Sequence, residues 1–160
     1  SAGLSGTSTG GEKGGYGGAL SILTVNSTAR TEIDSDATIT LENLEQRTEQ
    51  DLLIVNTARA HVQNDDGGSG LNIAVAITDY TAVTESINAG DNEGRGTEGI
   101  AIRADDKTSV VTLAGSGSLD ADKGFAIGVA VNLTDRQTTT TFTGDINVDA
   151  EIDIGASTTG

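Results

Sequence analysis

Asp145, Asn147, Asp149, Glu151 and Asp153 alternate with Ile146, Val148, Ala150 and Ile152 in the stretch DINVDAEID. On an extended strand that alternation sets every polar group on one face, at intervals of roughly 6.6 to 6.8 Å. A row of hard oxygen atoms is calcium chemistry, because that ion takes several carboxylate and carbonyl ligands. Asp145, Asn147 and Asp149 have the opening spacing of a calcium loop, but Ala150 stands where such a loop turns on glycine. A straight strand does not encircle an ion, so the five are candidate calcium ligands against a plainer and preferred reading. In that reading they form a solvated row whose like charges discourage stray strand addition.

The remaining chemistry is thinner. GGSGLNIAV, from Gly67, has the glycines of a β-roll calcium repeat, but Asn72 occupies the aspartate position and the unit does not recur in tandem; a turn entering a strand accounts for it. His61 is the sole histidine and has no neighbouring metal or nucleophile pattern, so a surface position is expected. The run Thr138 to Thr141 sends consecutive hydroxyls to opposite faces, which suits β-branched filler better than a flat threonine array. Asn26 and Asn132 begin glycosylation sequons, a hint of exposure. There is no cysteine, and therefore no disulfide framework and no thiolate chemistry. No catalytic constellation emerges, and the expectation is that the chain is not an enzyme, with calcium the one cofactor for which it offers a ligand row.

A net charge of −15 disfavours nucleic acid and anionic lipid as partners. No apolar run is long enough to cross a membrane as a helix. Apolar residues make up 35% of the chain, with only two tyrosines and two phenylalanines, so Val, Ile, Leu and Ala must build whatever core exists. That composition suits sheets.

Residues 1–18 are rich in Gly, Ser and Thr and read as a linker or an incomplete coil edge. From residue 19 to 160, short runs alternate apolar and polar residues between Gly, Asp and Asn clusters, the pattern of strands joined by turns. Only residues 40–54, through Leu41, Leu44 and Leu52, offer a helical spacing. Three glycine-led runs, GGALSILTVN from Gly17, GSGLNIAVAITD from Gly68 and KGFAIGVAVNLTD from Lys123, repeat at intervals of about 52 to 56 residues. They divide the chain near 19–67, 68–122 and 123–160. Strand starts fall more often, every 19 to 33 residues or so, as expected of one winding of a β-solenoid.

If windings stack at about 4.8 Å, Leu71, Ile73, Val75 and Ile77 lie beside Phe125, Ile127, Val129 and Val131 as internal core columns. Their small neighbours Ala74, Ala76, Gly128 and Ala130 then form an outward packing face that admits close approach by another surface.

The stretch Val129 to Asp135, followed by Thr138 to Thr141, Phe142 and Asp145-Ile146-Asn147-Val148, resembles a repeat of very large exported bacterial adhesins and leukotoxin-type proteins similar to filamentous haemagglutinins. The likeness is good over 123–154, moderate over 68–88 and loose over 17–41, where Ser27 replaces an acidic turn residue. The resemblance implies a secreted or cell-surface segment that extends, adheres or assembles, with a host or cell-surface ligand.

The fold expected is therefore all-β: a right-handed parallel β-helix of about five windings. Its open ends would be met by copies of itself or by adjoining repeats of a longer chain. The alternative is a calcium-rigidified β-sandwich extender module of an adhesin.

Overall fold

The computed structural model describes residues 2–10, 14–147 and 151–160. The chain is all-β: β1 (Ala2–Gly10), β2 (Gly15–Ile33), β3 (Thr38–Gln50), β4 (Leu53–Asn88), β5 (Asp91–Lys107), β6 (Ser109–Phe142), β7 (Ile146–Asn147) and β8 (Ile152–Thr159). No helix occurs among the described residues, and the one helical spacing noted above falls largely in β3. The reason is tertiary: Leu44 of β3 stands in register with Ile100 of β5, so the strand is held by a parallel neighbour that a helix would lack.

Two four-stranded parallel sheets result. In one, β4 pairs with β1, β2 and β6; in the other, β5 pairs with β3, β7 and β8. Ala2 lies beside Asn56, Asn43 beside Gly99, Asn92 beside Ile146 and Ile100 beside Ile152. Parallel neighbours are thus about 52 to 56 residues apart. That is the interval of the glycine-led repeats, and it is longer than the spacing of the strand starts. The shorter rhythm falls within long extended stretches, since β4 alone runs for 36 residues. Residues 2–10, expected as a linker or coil edge, form β1 and pair with residues 56–64. Every register resolved is parallel, unlike the antiparallel hairpins of a β-sandwich extender.

The chain gathers into two compact units, each made of three separate stretches. Unit 1 comprises 1–25, 53–80 and 109–134. Unit 2 comprises 26–52, 81–108 and 135–160.

The interior of unit 1 is narrow and built of small side chains. Ala19, Ala58, Ala60, Ala74 and Ala76 form its buried apolar cluster, with Ala114 packed against it. Beside them runs a ladder of polar side chains. Ser21 Oγ donates to Asn56 Oδ1 at 2.5 Å, and Asn56 Nδ2 donates to the carbonyl of Ile77 at 2.7 Å and to Thr78 Oγ1 at 3.2 Å. A hydrogen bond of 2.5 Å joins Thr78 Oγ1 to Thr112 Oγ1, and Thr112 in turn donates to Asn132. Ser21, Asn56 and Thr78 are each thereby offset by a partner, as burial demands.

This arrangement reverses the faces expected from the sequence. Ala74 and Ala76 are fully buried, whereas Ile73 is 41% and Phe125 61% exposed. Leu71, Val75, Ile77 and Ile127 are half-buried, and Val129 and Val131 are exposed, so none of the eight expected core-column residues belongs to the core. Of the other expected outward residues, Gly128 is exposed and lies so near a neighbouring strand that a Cβ would sit 2.5 Å from the Ala114 carbonyl oxygen. Ala130 shares its side of the strand and remains exposed. The physical cause is the smallness of the buried cluster, which is lined by alanines alone. Alanine, serine and asparagine allow backbones to approach so closely that a second row of Ile or Val would overpack the gap.

Unit 2 is held by register and by turns. Leu44, Ile100 and Ile152 share one inward column; Gln46, Ile102 and Ile154 share the next. Gln46 Nε2 donates to the carbonyls of Ile87, at 2.8 Å, and Thr31, at 3.4 Å, while Thr48 Oγ1 donates to the carbonyl of Glu85 at 2.9 Å. The turn at residues 89–90 is clasped by Asn88 and Asn92: Asn88 Oδ1 accepts from Gly90 N and from Asn92 Nδ2, both at 3.2 Å. Gly99 has φ +98, a left-handed conformation that glycine adopts without strain. It sits at the irregularity where the register of β3 against β5 shifts between Leu41 and Asn43.

Candidate functional site

Lys123 opens and Asp79 closes an otherwise uncharged outward face on unit 1. Alternation along the strands generates it. With Ala19 and Ser21 buried, Leu20 and Ile22 of β2 point away from the core. With Asn72, Ala74, Ala76 and Thr78 buried, Leu71, Ile73, Val75 and Ile77 of β4 do the same, and Asp79 ends their row. On β6, Phe125, Val129, Val131 and Leu133 are exposed and Ile127 is half-buried, and these five residues share one side of the strand with Lys123 before them. Because β2 and β6 both pair with β4, the three rows lie on neighbouring strands of one sheet. Scattered apolar residues are ordinary on a protein surface; contiguous aliphatic rows across three strands mark an interaction surface. Neither Lys123 nor Asp79 forms an ion pair with a described residue.

The outward side of the β3–β5–β8 sheet in unit 2 is charged instead. Arg47 pairs with Asp105 at 2.9 Å, Lys107 with Glu49 at 2.9 Å, and Arg103 with Asp153. Lys107 hydrogen-bonds Glu49 and Arg47 lies nearby, which together hold the Glu49 carboxyl below its ordinary range. Such exposed pairs add little stability but order the strand surface.

Asp106 is the buried counterpart. Its Oδ2 accepts from Arg136 Nε at 2.9 Å and its Oδ1 from Thr108 Oγ1 at 2.7 Å, while Arg136 also donates to the carbonyls of Asp106 and Thr159. Burial, the largest single influence, pushes the carboxyl upward. The hydrogen bonds from Arg136 and Thr108 and the guanidinium charge together outweigh it and hold the group below the usual carboxylate range. Sequence reasoning missed this pair, whose members lie 30 residues apart with no motif to join them.

The candidate calcium row does not persist as one row. Asp145 and Asn147 line a cleft with Asp91 and Asn92, whereas Glu151 and Asp153 line another with Asn43 and Gly99. Asp149 lies outside the described residues. The division follows the register, since Ile146 stands beside Asn92 but Ile152 beside Ile100. Among the described residues, no three His, Asp or Glu side chains converge as a metal site would require. His61 is half-buried on β4 beside Thr7 of β1. Of the two sequons, Asn26 is exposed, while Asn132 is engaged by Thr112.

Comparison of the sequence with family models and curated proteins, and of the fold with solved structures, returned no match.

Proposed function

We propose that the chain is a structural, non-enzymatic segment of an extracellular fibrous surface protein, built as a right-handed parallel β-solenoid that extends by axial stacking. One winding takes about 54 residues, so the chain supplies roughly three windings rather than five. The observation that carries this reading is the open end of the inward columns in unit 2. Ile100 and Ile102 are buried between neighbours in register, but Ile152 and Ile154, the last members, are 42% and 44% exposed. Another parallel strand set on β8 would bury both and satisfy its free backbone edge. Copies of this chain or adjoining repeats of a longer one have the side chains for that position.

The resemblance to exported adhesins favours a cell-surface or secreted setting and a host or cell-surface ligand. Electron microscopy of the purified chain tests the axial claim: thin filaments are expected at high concentration. Ile154→Lys, which places a charge in the open column, is expected to abolish them. Dispersed compact particles from the unaltered chain would remove the proposal.

A further inference from the structure

We propose that the uncharged face of β2, β4 and β6 in unit 1 binds the same face of a second copy of this chain, with the strands of the two copies antiparallel. The pairing presumes the assembling role above but uses a different surface from the axial end.

Three features select this occupant. A chain of net charge −15 repels its own copies, so association is favoured where apolar residues meet with no like charges between them. Between Lys123 and Asp79, the outward residues of β4 and β6 carry no charge over Leu71, Ile73, Val75 and Ile77 or over Phe125 to Leu133. The rows are also polar end to end. Lys123 stands two residues before Phe125 and Asp79 two residues after Ile77, on strands of one parallel sheet.

Two copies stacked in the same direction would gather both Lys123 side chains at one end of the contact and both Asp79 side chains at the other. The antiparallel arrangement brings each Lys123 near the other copy's Asp79, at both ends of the contact, under a two-fold axis. β-Branched residues at regular intervals then interdigitate with their own kind, as in the dry interfaces of stacked sheets.

Sedimentation velocity over a micromolar concentration series measures the pairing. Ile154→Lys serves as background, so that axial stacking is blocked and cannot be mistaken for it. A monomer–dimer equilibrium is expected. Val131→Asp is expected to leave the circular dichroism spectrum unchanged and to weaken dimerisation at least 100-fold or so, because a charge would be buried in the contact.

Lys123→Asp and Asp79→Lys are each expected to weaken the dimer by about ten-fold, and the double charge swap to restore it. Failure of the swap to restore affinity would overturn the antiparallel arrangement. A background variant that stays monomeric throughout would overturn the pairing altogether, even if the unaltered chain forms filaments. Dimers in that background without filaments from the unaltered chain would retain the lateral pairing and discard the axial proposal.

Discussion

At the scale of single residues, Asp106 carries the clearest energetic consequence. Its partner Arg136 is largely buried, so Arg136→Ala leaves an uncompensated carboxylate in the interior. A loss of about 3–5 kcal/mol is expected in urea unfolding at pH 7. Because the folded protein holds the Asp106 carboxyl below its unfolded value, this group's contribution is complete above the unfolded value, about pH 4. The contribution is lost as the pH falls through the folded value. Urea midpoints should therefore drop between pH 7 and pH 3, and drop less in Asp106→Asn, which has no carboxylate to protonate there. Gly99 is a second such position: at φ +98, with the Glu151 carbonyl against the space of a Cβ, Gly99→Ala is expected to cost more than about 1 kcal/mol.

At the scale of the strand, alternation was legible from composition while its direction was not. A run such as LNIAVAIT, residues 71–78, divides cleanly into large and small residues, and burial of the large set is the ordinary outcome. Here the small set is inside, where Ala74 and Ala76 share one buried cluster with Ala19, Ala58 and Ala60. Nothing local to residues 68–80 encodes the identity of those partners. Paired substitutions read the direction directly. Ala76→Leu should overpack the interior and cost roughly 1–3 kcal/mol in denaturant unfolding, whereas Ile73→Ser, on the outward side, should cost well under about 1.5 kcal/mol. Equal costs would contradict the assigned faces.

At the scale of the whole molecule, charge and repetition govern behaviour. In the proposed rod, register, small side chains and the asparagine–threonine ladder supply the cohesion. Millimolar calcium is accordingly expected to leave the thermal midpoint within about 1 °C, and a large upward shift would restore the extender reading. Self-association should strengthen as pH is lowered toward about 4, where carboxylates begin to protonate and the repulsion carried by 24 acidic residues fades. Light scattering against pH measures this, and unchanged scattering would count against assembly limited by charge.

The sequence by itself determined that the chain is all-β and that like segments recur at about 54 residues, because turn residues and period-two alternation are local properties. It also contained the spacing of the parallel register, since Ile100 and Ile152 stand in equivalent positions of adjacent repeats. Only the tertiary structure decided which set of alternating residues is interior, that Asp106 meets Arg136, and that the acidic row divides between two clefts. Each depends on what lies across a gap or along a shifted register, and that is fixed by chain segments far away in sequence.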